Sequence, residues 1–260
     1  MVKKSATRKK KLNILVTNDD GYFADGIKAL AKELGKTANI FIVAPDREQS
    51  ASSHSLTLNR PLRAQKISDN CFAIDGTPTD CVMLAIHLCF KSVSLDMIVS
   101  GINHGPNMGD DITYSGTVAA AIEGSILQIP SIAVSMSDYE PEMPMARAAR
   151  WVAKLILAYP RFDLEPSIFL NINLPPDNGR PYKDFLFTKP GVRKYKDIVI
   201  HKTDPRGKSY YWIGGKPKWQ KASGTDFVAV KSGKISISPM KPEFSDTDSL
   251  QKLSQADFKL

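Results

Sequence analysis

Between residues 12 and 174 the chain alternates two patterns with little between them. Short apolar runs, LNILVTN (12–18), NIFIVAP (39–45), CFAID (71–75), DMIVSGI (96–102), SIAVSM (131–136) and SIFLNINL (167–174), read as strands. Several are near-continuous Ile, Val and Leu, as strands buried on both faces of a parallel sheet must be. Helical segments separate them. DGIKALAKELG (25–35) sets Ile27, Leu30, Ala31 and Leu34 on one face and stops at Gly35. TPTDCVMLAIHLCF (77–90) has Pro78 where a helix can begin, and SGTVAAAIEGSILQ (115–128) and PMARAARWVAKLILAY (144–159) complete the set. This order predicts a doubly wound, mostly parallel α/β sheet with right-handed crossovers.

The pattern changes after Pro175. FLFT, YYWIGG, DFVAV and KISISP, all within 181–238, read as antiparallel strands and hairpins without helices. SDTDSLQKLSQADF (245–258) reads as a terminal helix capped by Ser or Asp. The expected organisation is a basic, solvated tail (1–11), an α/β core (12–180), and a hairpin arm with returning strands and a terminal helix (181–260).

The chain is 260 residues long with a net charge of +8, which invites a nucleic-acid reading. The distribution argues against it. Residues 1–11 carry six Lys/Arg and no acid, and residues 181–221 carry 11 against 3, while residues 12–180 carry 13 Lys/Arg against 19 Asp/Glu. An acidic body is a poor DNA-binding face and is compatible with a cation site. No apolar stretch approaches the ~20 residues that span a bilayer, and the basic N-terminus lacks the apolar core of a secretory signal. Cys71, Cys81 and Cys89 show no CxxC spacing, which fits a reducing, cytoplasmic setting and neither a disulfide frame nor a zinc site.

Ligands of an open parallel sheet bind beyond the carboxyl ends of its strands. After the first strand come Asn18, Asp19, Asp20 and Gly21; after the second, a hydroxyl-rich loop with Ser50, Ser52 and Ser53; after the fourth, Asn103, His104, Asn107 and several glycines. Ser115-Gly116-Thr117 then opens a helix, whose N–H groups and dipole favour an anion such as phosphate. Carboxylate, amide and hydroxyl oxygens suit Mg²⁺ or Mn²⁺, not zinc. Two adjacent carboxylates repel unless a cation sits between them. A cation beside an anion cradle is a layout for phosphate-ester hydrolysis, in which the metal polarises the phosphoryl group and an aspartate steers or deprotonates water. Taken singly, each motif also has an ordinary structural reading: a solvated turn, a loop, an N-cap, an incidental loop histidine.

The stretches NDDG (18–21), VAPDREQSASSHSLTL (43–58), GTPTDCV (76–82), SGINHGPNMGDDITYSGTVAAAIEG (100–124) and DPRGKSYYWIGG (204–215) together resemble the SurE family of survival proteins, over roughly residues 12–240. That resemblance implies a three-layer, Rossmann-like α/β/α fold and a metal-dependent phosphatase acting on nucleoside 5′- and 3′-monophosphates, and also on short polyphosphate. It implies one divalent cation per subunit, Mg²⁺ or Mn²⁺, held by Asp19, Asp20, Ser50 and Asn103. It places Asn18, Asn107, Ser115, Gly116 and Thr117 at the phosphate or substrate site, with Asp19 and Asp20 in catalysis. It also implies homodimers or tetramers that exchange the arm (about 190–215) and the C-terminal segment (245–258). The competing reading is a polyanion binder working through the tail and the arm, separable by its steep salt dependence. A dinucleotide oxidoreductase is disfavoured because no GxGxxG follows the first strand.

Overall fold

The computed structural model describes residues 10–137, 145–196, 199–214 and 216–256, apart from the side chains of 194–196 and 216–218. The tail up to residue 9, the first residue of the expected 144–159 helix and the last two of the 245–258 helix lie outside the described residues. The first half of the fold comprises β1 (Asn13–Thr17), α1 (Asp25–Leu34), β2 (Asn39–Pro45), β3 (Ala64–Ser68), β4 (Cys71–Ile74), α2 (Pro78–Leu84), β5 (Met97–His104), α3 (Gly116–Ile126), β6 (Ser131–Met136), α4 (Ala146–Ala158) and β7 (Phe169–Leu174). The second half comprises β8 (Phe185–Phe187), β9 (Arg193–Lys196), β10 (Val199–Thr203), β11 (Ser209–Ile213), β12 (Lys216–Trp219), α5 (Asp226–Lys231), β13 (Ile235–Met240) and α6 (Thr247–Ser254).

Among the described residues, nine strands form one sheet in the order β3-β4-β2-β1-β5-β6-β7-β13-β8. From β4 to β7 all neighbours are parallel. The chain winds outward from β1 to β2 and β4, then crosses back to place β5 on the other side of β1. The order of strand addition therefore reverses between β1 and β5, where a doubly wound fold opens a crevice for ligand.

The period-2 geometry of β1 divides the core. Ile14 and Val16 face one layer with Ile27, Leu30 and Leu34 of α1 and Ala148, Ala149 and Val152 of α4. Leu15 faces the other, with Val82 at α2 and Ala120 of α3. Because both faces are covered, the parallel strands are mostly apolar, which makes them readable as near-continuous runs.

Three sequence expectations need correction, and one strand was not expected. FLFT, expected antiparallel, forms β8, which pairs parallel with β13 because the chain passes through the whole arm before it returns to the sheet. DFVAV, read as a strand, is helix α5: Asp226, Ala229 and Val230 are its buried residues, the i, i+3, i+4 spacing of a helical face. The single helix expected over 77–90 ends at Leu84 and continues as a π-helical turn, Ala85–Cys89. The edge strand β3 escaped notice because all five of its residues are exposed, so it has no apolar face to read. Other expectations hold closely: β2 and β6 have the expected bounds, and Asp246 caps α6 by accepting from the Ser249 N–H at 3.0 Å.

After residue 180 the chain does two things. The strands β8 and β13 return to the main sheet beside β7. Between them an arm projects: β9 pairs with β12 and β10 with β11, both antiparallel. Val199, Tyr211, Trp212 and Ile213 on it are exposed, Ile213 at 86%. Among the described residues no helix is long and apolar enough to cross a membrane.

Candidate active site

Beyond the carboxyl ends of β1 and β5 lies a cavity of about 790 Å³, whose wall includes Asp19, Ser50, Asn103, Asn107 and Ser115. Local backbone features bring these together. At Gly21 the chain turns with φ +96°, and a Cβ there would lie 3.1 Å from the Arg47 carbonyl carbon, so only glycine fits comfortably. The β5–β6 register shifts between Ser100 and Asn103, an irregularity of the kind that re-aims side chains next to active sites. The loop after β2 is tied down twice, by Gln49 N–H to the Asp19 carbonyl (2.8 Å) and by Ser53 N–H to the Tyr114 carbonyl (3.1 Å). Asp80 holds its far end, accepting from the Thr57 N–H and hydroxyl at 2.9 and 2.6 Å.

Asp19 is almost fully buried, and the Thr117 hydroxyl donates to its Oδ1. Burial pushes its carboxyl above the ordinary range, against the pull of the Thr117 hydrogen bond. Burial and then the charge of Asp19 push Asp20 up to about 6, although the His104 N–H donates to its Oδ2 at 3.3 Å. The charge of His104 also pulls Asp20 down, but no Lys or Arg is among the main groups that shift either aspartate. A third acid adds to the repulsion: Glu48 raises both, and its Oε1 accepts the Ser50 hydroxyl at 2.6 Å. The Asn103 amide donates from Nδ2 to the Gly105 carbonyl at 2.9 Å, which leaves Oδ1 for the cavity.

This donor set passes the test for a hard divalent cation. All four candidate groups offer oxygen, and among the described residues no Lys or Arg is paired with buried Asp19 or half-buried Asp20; bringing two such charges together is costly without a cation. Among the described residues no group of three or more His, Cys, Asp or Glu side chains is arranged to hold a metal ion, so the amide and hydroxyl oxygens must complete the set.

The expected substrate residues divide. Asn107 lies on the cavity wall, and its backbone is held by β7: the Asn173 Oδ1 accepts its N–H at 2.8 Å, and the Asn171 and Asn173 amides both donate to its carbonyl at 2.9 Å. Its Nδ2 donates to Ser135 Oγ at 2.8 Å. Ser115 caps α3 by accepting the Val118 N–H at 3.1 Å. Thr117 is fully buried and reaches the cavity through Asp19. Gly116 is a spacer, since a Cβ there would meet the Asp19 Cβ at 2.8 Å. Asn18 is wholly buried and holds the turn, donating to the Gly21 carbonyl at 2.9 Å.

A family profile described as survival protein SurE matches residues 14–197. The chain belongs to the SurE family. Among similar proteins of the family, 5′-nucleotidase SurE of Geotalea uraniireducens is 46% identical over 249 residues, covering 95% of this chain and 99% of its own. That of Aliivibrio fischeri is 44% identical, covering 94% of each. The crystal structure of the SurE protein from Aquifex aeolicus superposes with a TM-score of 0.82 at 37% identity, covering 94% of this chain and all of the other.

The cavity also includes residues that the sequence did not mark: Asp111 and Tyr114 on the wall from a 3₁₀ turn, and Ile213 and Gly214 from the arm. Asp111 and Tyr114 sit inside a motif whose flanking Asn107 and Ser115 were read, and nothing in their type distinguished them. Ile213 and its neighbour Gly214 lie 98 or more residues from all the remaining wall residues, so only folding could place them there. Glu48 had a signal, an acid two residues before Ser50 in the same loop.

Proposed function

We propose that this chain is a 5′-nucleotidase, hydrolysing nucleoside monophosphates to nucleoside and phosphate with a divalent cation. The observation that carries the proposal is the adjacent carboxylates, buried Asp19 on the cavity wall and half-buried Asp20 beside it, both pushed up by burial with no Lys or Arg among the described residues paired to them, in a family whose relatives bear the name 5′-nucleotidase.

Asp19, Asp20, Ser50 Oγ and Asn103 Oδ1 would hold the cation, Mg²⁺ or Mn²⁺. When bound, it supplies positive charge that polarises the phosphoryl oxygens and acidifies water. Glu48 accepts the single Ser50 hydroxyl proton, so both Ser50 lone pairs are left for the cavity. Thr117 fixes Asp19 through Oδ1, leaving Oδ2 to take the proton of an attacking water. The start of α3 presents its positive dipole end to the phosphate beside Ser115. The Ser135 hydroxyl is donor and acceptor, so it also supports the flipped Asn107 amide, which turns Nδ2 toward a phosphate oxygen. Exposed Tyr114 and Ile213 provide apolar surface for a nucleobase.

Because the assigned polar groups all address the phosphate end, the same reading extends to 3′-nucleotides and short polyphosphate. Self-association as a dimer or tetramer through the apolar arm is part of the proposal, as is a reducing, cytoplasmic setting for the three free cysteines. The test is phosphate release from 5′- and 3′-nucleotides with Mg²⁺, Mn²⁺ or EDTA, beside an Asp19→Asn variant. Release that needs the metal and collapses in the variant is expected; release that survives both overturns the assignment.

A further inference from the structure

Asp226 belongs to none of the motifs that mark the site, yet it is the most thoroughly engaged carboxylate near it. It opens α5 and is wholly buried. Three backbone N–H groups from separate segments converge on its two oxygens. Gly109, at the head of the 3₁₀ turn, donates to Oδ2 at 2.8 Å. Gly191, at the root of the arm, donates to Oδ1 at 2.9 Å, and Phe227 donates to the same oxygen at 2.7 Å. Burial pushes its carboxyl above the ordinary range, against the pull of these backbone donors, so the side chain depends on all three to be held where it is.

Both Gly109 and Gly191 lead to walls of the cavity. The turn Gly109–Thr113 runs on to Tyr114 and carries Asp111, while the arm that rises from Gly191 ends its β11 strand at Ile213. Contacts around the joint reinforce it. The Arg193 N–H donates to Asp110 Oδ2 at 3.3 Å, and the Arg193 guanidinium pairs with Asp111. That guanidinium lies 5.1 Å from the Trp219 ring centroid, and Trp219 stacks on Phe227 at 4.5 Å. The fit is close: a Cβ on Gly109 would lie 2.6 Å from the Gly191 carbonyl oxygen and 3.0 Å from the Trp219 ring.

We propose that Asp226 is a positioning residue for the nucleoside end of the cavity, tying the turn that carries Asp111 and Tyr114 to the root of the arm that carries Ile213. It touches neither the cation site nor the phosphate site. Asn107 has its own anchors on β7, and Asp19 has Thr117. The joint therefore sets the spacing between the two walls that would flank a nucleoside, and leaves phosphate chemistry to the strand ends. The inference rests on the nucleotidase reading.

The test is Asp226→Asn, which keeps the shape but turns an amide donor toward one of the three N–H groups. A nucleoside 5′-monophosphate is compared with methyl phosphate, which has no nucleoside. The expected result is a rise in KM for the nucleotide of roughly ten-fold, the scale of one lost buried hydrogen bond to a charged group, with kcat for both substrates and KM for methyl phosphate within about three-fold. Calorimetric binding of the free nucleoside should weaken in parallel. Trp219→Leu, which unstacks the same joint without touching the buried carboxylate, should give the same split and serves if Asp226→Asn does not fold. Equal losses on both substrates, or none on either, overturn the positioning role while leaving the nucleotidase reading intact. Failure of the wild-type protein to hydrolyse either substrate overturns that reading, and this inference with it.

Discussion

Thr117 lies behind the cavity wall and reaches it only through Asp19, so its replacement by Val tests whether the site depends on what holds Asp19. Val has nearly the same shape, so the fully buried position stays filled and only the hydroxyl is lost. That hydroxyl donates to Asp19 Oδ1 and is the largest influence pulling the Asp19 carboxyl down against burial. A hydrogen bond to a charged group contributes about 1.5–3 kcal/mol net. If that sum is felt in binding of the cation, affinity falls by about 10- to 100-fold, the range seen when an outer partner of a metal ligand is removed. Its pH dependence has a definite sign. Without Thr117 the carboxyl titrates higher still, and a proton competes with the cation for it, so the weakening is greater at pH 6 than at pH 8. Calorimetric titration with Mn²⁺ at both pH values measures this directly, with Thr117→Ser as the control that restores a hydroxyl. Wild-type affinity in Thr117→Val at both pH values would refute the reasoning.

Gly116→Ala should gain slightly in helix propensity and still lose activity, because the new methyl would sit 2.7 Å from Ser52 Oγ and 2.8 Å from the Asp19 Cβ; a displacement approaching 1 Å costs about 100-fold in kcat/KM, and a value within three-fold of wild type would show that the helix start yields freely. Asn173→Leu removes both the acceptor for the Asn107 N–H and a donor to its carbonyl. It should destabilise the fold by about 1–3 kcal/mol and raise the inhibition constant of inorganic phosphate, read by thermal melts and competition assays. For the metal-free protein, the raised Asp20 carboxyl fixes a trend: the folded state binds more protons than the unfolded chain between about pH 4 and about 6, so its stability falls as pH rises through that window. Mg²⁺ or Mn²⁺ should reverse the fall, so the metal-induced increase in Tm grows with pH across the window; an increase independent of pH would count against cation binding at these carboxylates.

The layers of this fold were legible because burial on both faces leaves a strong mark. Ile14, Leu15 and Val16 had to be apolar whichever side they faced, and α1 carried its apolar stripe at helical spacing. Elements that bury little left little trace: β3 is fully exposed, and the five residues of DFVAV support a strand or a helix equally until Asp226 finds its partners. The strand-end residues were legible for a different reason. Asp19, Asp20, Ser50 and Asn103 are short polar groups where apolar runs stop, and the parallel topology itself directs such stops to one edge.

What the sequence by itself determined was therefore the alternation, the sheet edge where chemistry would sit, and the oxygen character of the groups gathered there. These depend on local periodicity and residue type, which a linear reading contains. Only the tertiary structure decided which of those groups face the cavity, that Asn18 and Thr117 support it from behind, and that Ile213 of the arm shares its wall with Tyr114. It alone brought Asp226 to Gly109, 117 residues away, and to Gly191. A backbone N–H is present at nearly every residue, so no side-chain pattern announces which ones a buried carboxylate will choose; long-range packing makes that choice.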